Sequence, residues 1–170
     1  PDLVISGVNM GSNAGLSFMI SSGTIGAGLE ANIAGVPAVA LSQVLPPGAF
    51  QSWAVDRQMD SEYLETLFVR MDAMTGRVFD VLKSKGDWLQ APVTWSVNMP
   101  SEPAGDWQVE ETTLGQTLYT SCFKKEGDVY QHNIDRPEVD QTPGSDGAAL
   151  KDGHVSMTRL DLRVIGQEIN

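Results

Sequence analysis

Cysteine is nearly missing, Cys122 being the only one in 170 residues. A single thiol excludes an internal disulfide and any cysteine-cluster metal site, and it reads as a small buried strand residue rather than a reactive group. Histidine is almost as scarce: His132 and His154 both lie in the second half, so a Ser/His/Asp triad has nothing to build on, and both read as strand or surface residues. Positive charge is short too, with 11 lysines and arginines against 22 acids and a net charge of −11. Such a surface repels polyphosphate backbones and anionic lipid heads, which argues against polymeric nucleic acid or a membrane as partner. A small phosphate ester stays compatible if a metal ion offsets the repulsion locally. No apolar run is long enough to cross a bilayer, and a lone thiol suits the cytoplasm. Hydrophobic content of 41% and charged content of 19% are those of a globular chain with its own core. The chain opens at Pro1, inside what reads as a strand, so a longer parent protein is expected.

What is present is concentrated between Pro1 and Thr24. Leu3-Val4-Ile5 has the β-branched character of a buried parallel strand. Gly7, Gly11 and Gly15 then alternate with Asn9 and Asn13, which reads as a long loop at the C-terminal end of a strand, where open α/β sheets bind ligands. Ser22-Gly23-Thr24 follows as the start of an amphipathic helix reaching about Ala34, offering hydroxyls, free N–H groups and the positive end of the dipole. A plain strand-loop-helix connection with a Ser or Thr N-cap fits the same spacing, and both readings stand at this point. Asn9 and Asn13 carry hard, neutral amide oxygens suited to magnesium, manganese or calcium, but no carboxylate lies in the loop. They also suit a glycine-rich loop through tolerance of left-handed backbone.

Downstream, Ile25, Leu29 and Ile33 mark one face of the first helix, and Val36 to Ser42 reads as a second strand, parallel to the first. Leu45 to Asp60 reads as an irregular loop opened by Pro46-Pro47-Gly48. A long helix follows, capped by Asp60 or Ser61, with Leu64, Leu67, Phe68, Met71, Met74, Val78, Val81 and Leu82 as its core stripe and Lys83, Lys85 and Gly86 at its end. From about Ala91 the chain becomes β-rich. Val93 to Asn98, Trp107 to Glu111, Leu118 to Lys124, Val129 to Gln131 and Gly153 to Thr158 are candidate strands, and Asp135 to Gly147 reads as an acidic surface loop containing Glu138. Lys124 and Lys125 read as a solvated hairpin pair.

The order of three segments, P-D-L-V-I-S-G-V-N-M-G-S-N-A-G, S-S-G-T-I-G-A-G-L-E and G-V-P-A-V-A-L-S, resembles the central signature of the SurE family of metal-dependent phosphatases. Asn98-Met99-Pro100 resembles that family's N-x-P strand end, and Gly144 to Thr158 its closing T-D-x-x-A-L-x-x-G-Y-V-S-x-T-P motif, with His154 and Arg159 standing where Tyr and Pro are usual. The resemblance implies an α/β, Rossmann-like fold: a three-layer parallel-sheet core, incomplete at its N-terminus, with a β-rich C-terminal extension. Residues 1–90 would be the C-terminal part of that core, and 91–170 its last strand plus a hairpin and oligomerisation region. It implies hydrolysis of nucleoside 5′- and 3′-monophosphates with Mg2+ or Mn2+, in a homodimer or homotetramer. Asn9 corresponds to a metal ligand. Asn13, Ser22, Gly23 and Thr24 correspond to the phosphate pocket, Ser21 and Ser22 being alternatives for the serine that faces the phosphate. A twin-aspartate motif and a serine that complete the metal site belong before Pro1, so this chain alone is expected to be inactive. The alternative is a module that binds a nucleotide or phosphate, or self-associates, without cleaving anything.

Overall fold

The computed structural model describes residues 1–119, 121, 123–132 (without the His132 side chain) and 139–164. Its centre is a five-stranded sheet in the order β1-β2-β3-β7-β4, built from β1 (Val4–Met10), β2 (Ala38–Gln43), β3 (Thr94–Met99), β7 (Val155–Leu160) and β4 (Val109–Thr112). β1, β2 and β3 pair in parallel, β7 runs antiparallel to β3, and β4 is parallel to β7. The fold is therefore α/β with a mixed, mostly parallel sheet. A separate hairpin joins β5 (Phe123–Glu126) to β6 (Val129–His132).

Side chains alternate across a strand, and the two faces of this sheet differ in kind. Val39, Leu41, Trp95, Val97, Met99, Val155 and Met157 form one apolar face. Helix α4 (Ser61–Ser84) covers it with Met74, Val78 and Leu82. The intervening positions, Ala38, Ala40, Ser42, Thr94, Ser96, Asn98, Ser156 and Thr158, are small or polar and equally buried. Helix α2 (Gly23–Ile33) lies so close on that side that a Cβ on Gly28 would stand 2.8 Å from the Thr94 side chain, and Thr94 Oγ1 donates to Asn32 Oδ1 at 2.7 Å. Helix α5 (Asp146–Lys151) packs next to β7.

Several expectations hold. β1 and β2 are parallel and joined through α2, and Asp60 caps α4 by accepting the Tyr63 N–H at 2.9 Å. Others need correction. Ile33 is 71% exposed and Leu29 only half-buried; the covered face is Ile25, Gly28, Ala31 and Asn32. Eight residues carry a helix about 80° beyond two full turns, so Ile33 swings out of register with Ile25. Phe68, expected in the α4 stripe, is 56% exposed.

Residues expected as an irregular loop hold helix α3 (Pro47–Asp56), since Pro47 sits at the first turn, where its missing N–H costs nothing. The glycine loop contains a further short helix, α1 (Leu16–Ser21). Neither Leu118 to Lys124 nor Asp135 to Gly147 is as expected throughout. The described strand begins at Phe123, and α5 begins at Asp146. Cys122 and residues 135–138, Glu138 among them, lie outside the described residues. His154 is half-buried, its Nδ1 accepting the Gln108 N–H at 3.3 Å.

Candidate functional site

β1 ends at Met10, and α2 runs back across the same strands. Its C-terminal end leads through Gly35 into Ala38, which pairs with Val4 at the start of β1. The first turn of α2 is therefore returned to the edge of the sheet where β1 delivers Asn9. That is the C-terminal edge of the parallel strands, the usual binding edge of such sheets. Asn9 pairs in register with Ser42, and Ser42 with Asn98, so three polar residues stand side by side along it.

Asn9 is half-buried, and its Nδ2 donates to Gly11 O at 3.0 Å. The amide is thereby turned so that Oδ1 accepts no hydrogen bond among the described residues. Ser22 is the N-cap of α2, its Oγ accepting the Ile25 N–H at 3.2 Å. Its hydroxyl hydrogen is left free to point outward. The N–H groups of Gly23 and Thr24, in the first helical turn, have no partner among the described residues, as that position dictates. Nothing lies within 4 Å of where a Gly23 Cβ would be, so the turn faces open space. Ser21 bonds instead back to Ser17 O at 2.9 Å, within α1.

Asn13 is placed differently from the others. It is buried, its N–H donating to Asn98 Oδ1 and its Nδ2 to Ser42 Oγ, each at 2.8 Å. It ties the glycine loop down to β2 and β3. Gly11 N–H donates to Gln43 O at 2.8 Å, a further tie to β2. The last tie is Asp146, 1% exposed, whose Oδ2 accepts the Gly15 N–H at 2.8 Å while Oδ1 accepts those of Gly115 and Gly147 at 2.9 and 2.8 Å. Burial pushes the Asp146 carboxyl above its ordinary value, and the three N–H donors pull it back only in part. Gly15, at φ 84, admits no side chain, because a Cβ there would lie 2.5 Å from Thr117 Cβ.

Asp146, Asn98 and Ser42 carry the loop's geometry and were not singled out in the sequence as site residues. The signal for Asp146 was present in Gly144-Ser145-Asp146, a helix start whose Ser145 caps by accepting the Ala148 N–H. Its long-range partner at Gly15 left no trace in local pattern.

The chain can also be set beside known proteins. The family model described as "Survival protein SurE" matches residues 1–121. A protein named 5'-nucleotidase SurE from Methanothermobacter thermautotrophicus is 38% identical over 126 residues, 74% of this chain and 44% of that protein. Proteins of the same name from Stenotrophomonas maltophilia and Halobacterium salinarum are 32% and 33% identical over 95% and 94% of this chain, and 58% and 60% of their own lengths. The chain thus spans about half the length of these curated relatives. The crystal structure of the SurE protein from Aquifex aeolicus superposes with a TM-score of 0.57 at 25% identity, covering 97% of this chain and 63% of that one.

Proposed function

The chain belongs to the SurE family, and from that premise we propose that the protein containing it is a divalent-metal-dependent phosphomonoesterase acting on nucleoside 5′- and 3′-monophosphates. The observation that carries this is that the topology brings to one sheet edge the Asn9 amide oxygen and the Gly23 and Thr24 N–H groups, none of which has a hydrogen-bond partner among the described residues. A phosphate monoester with a divalent cation is the ligand that would use both, its anionic oxygens accepting from the N–H groups and Asn9 Oδ1 being a donor atom suited to the cation.

Asn9 Oδ1 fits one position around Mg2+ or Mn2+. Among the described residues no group of three or more His, Cys, Asp or Glu is placed to hold an ion. The carboxylates such an ion requires are assigned to residues outside this sequence, and the isolated 170-residue chain is accordingly inactive. When bound, the ion supplies a water of lowered pKa and offsets phosphoryl charge. The residues of this chain position the ester. The N–H groups of Gly23 and Thr24, with the hydroxyls of Ser22 and Thr24, hold non-bridging oxygens through the reaction. Asn13, tied to Asn98 and Ser42, fixes the glycine loop that follows Asn9 and so supports the phosphate pocket. We place the enzyme in the cytoplasm as a homodimer or homotetramer, with residues 91–170 supplying the contact. A lone two-stranded ribbon such as β5–β6, with Val129 and Tyr130 more than half exposed, gains stability when covered.

The test is phosphate release from a nucleoside monophosphate by the whole protein. Asn9→Ala should lower activity and weaken metal activation together; full activity with an unchanged metal requirement rules the assignment out. Metal-dependent release by residues 1–170 alone would overturn their assigned inactivity. A second reading, a module that binds phosphate without cleaving it, is favoured by the lack of a carboxylate cluster among the described residues. Tight phosphate binding by the whole protein without turnover would select it.

A further inference from the structure

Helix α3 presents Phe50 and Trp53 at i and i+3, and its C-cap residue Arg57, at φ 56, turns back beside them; the site described above uses none of the three. Phe50 and Trp53 have ring centroids 6.1 Å apart at 44°, and Arg57 sets its guanidinium carbon 4.8 Å from the centre of the Trp53 ring. Phe50 is 44% exposed, a large apolar ring left open to water, and Arg57 makes no ion pair with a described residue. The face is not remote from the chemistry. A methyl carbon built on Gly11 would stand 3.6 Å from Phe50 Cε2 and 3.8 Å from Asn9 Nδ2. The edge of the Phe50 ring therefore lies beside the turn that carries Asn9, within a methyl group's contact distance of Gly11.

An ester held at Asn9 and Thr24 by its phosphate must direct the rest of itself somewhere, and a nucleoside monophosphate carries a flat base one sugar away from phosphorus. We propose that Phe50, backed by Trp53 and Arg57, is the platform on which the base of the substrate stacks. The proposal rests on the phosphomonoesterase reading and adds a specificity-determining residue to it. Exposed aromatic faces stack any base, so the platform favours nucleotides over aliphatic esters without selecting strongly among purines and pyrimidines. Trp53, tilted against Phe50 and itself covered by Arg57, limits the freedom of the Phe50 ring, so less is lost when a base arrives. In a chain with net charge −11, a cation here also counters repulsion of an incoming anion.

The experiment compares kcat/KM of the whole protein, with its metal, for a nucleoside 5′-monophosphate and for glycerol phosphate. Phe50→Ala should reduce the preference for the nucleotide by about tenfold, a change carried by KM, and Phe50→Trp should restore it. An unchanged preference, or a parallel loss on both esters, overturns the platform; the parallel loss would make Phe50 a support for the glycine loop instead. A change in oligomeric state with the preference intact also overturns it, in favour of a contact between copies. Failure of the unmodified protein to release phosphate from either ester refutes the underlying phosphomonoesterase reading first, and the platform with it.

Discussion

Replacing Asp146 by alanine should be among the most damaging single changes in this chain. Its carboxylate is 1% exposed and receives N–H groups from two distant segments, at Gly15 and Gly115, and from its own neighbour Gly147. Removal leaves three buried donors, each costing about 1–3 kcal/mol when unsatisfied. Part of that is returned because a buried charge disappears. A net loss of about 3–5 kcal/mol remains, a large share of the roughly 5–15 kcal/mol that keeps a domain folded.

The isosteric Asp146→Asn separates the contributions. Its oxygen can still serve Gly115 and Gly147, while its amide meets the Gly15 N–H donor to donor, so the cost falls to about 1–3 kcal/mol and concentrates on the glycine loop. The pH dependence has a definite sign. The folded-state pKa is raised above the unfolded value, so ionisation of Asp146 opposes folding at neutral pH. Wild type regains that stability as pH falls through the raised pKa toward the ordinary carboxylate range, and Asp146→Asn does not. Urea titration of the whole protein, with hydrogen exchange on peptides covering residues 10–17, measures both effects. A loss below about 1 kcal/mol for Asp146→Ala, or exchange in the loop no faster than in wild type for Asp146→Asn, would refute the proposed tie.

Three further outcomes follow from the same packing. Gly15→Ala forces a side chain onto left-handed backbone and into Thr117, and should cost about 2 kcal/mol or more in denaturant unfolding, while Ala at Gly23, which faces open space, should cost much less. Met74→Ala, at a site 1% exposed between α4 and the sheet, should lose about 2–4 kcal/mol, against under about 0.5 kcal/mol for Phe68→Ser on the exposed side of the same helix. Asp161 is held well below the usual carboxylate range, first by the Arg163 side-chain hydrogen bond. It therefore contributes stability above its unfolded pKa, which is lost as pH falls below about 4, and Asp161→Asn should flatten thermal stability in that acid window.

What was legible in the sequence was whatever depends on near neighbours. The cap at Ser22 and the stripe from Leu67 to Leu82 announce themselves through composition and period, and α2, β2 and most of α4 followed from them. Leu3-Val4-Ile5 marked the start of β1, but that strand runs on to Met10 through Gly7 and Asn9, expected as loop. Ile5, expected to be buried, is 56% exposed because β1 is the edge of the sheet. The same local pattern pointed to Asn9 and to Ser22 through Thr24, and the structure returns them to one edge. What was not legible depends on distant partners. Helix α1 forms where Leu16 N–H reaches Gly115 O and Ser17 N–H reaches Thr117 O, a hundred residues along the chain, and no propensity of Leu16 to Ser21 encodes that. Nor did anything local in the sequence signal the partners of Asn13, which are Asn98 and Ser42. Helix α3 was hidden by Pro46-Pro47-Gly48, which reads as a break until Pro47 is recognised as a first-turn residue.

The central claim is that Asn9 and the first turn of α2 act on one phosphoryl group. The most direct measurement is a double-mutant cycle on the whole protein, reading kcat/KM for metal-dependent phosphate release in wild type, Asn9→Ala, Thr24→Val and the double variant. If both residues hold the same group, the second substitution costs far less in the presence of the first, and the two effects fall short of additive by about 1 kcal/mol or more. Fully additive losses, or no loss from either change, would mean that they do not share a phosphate.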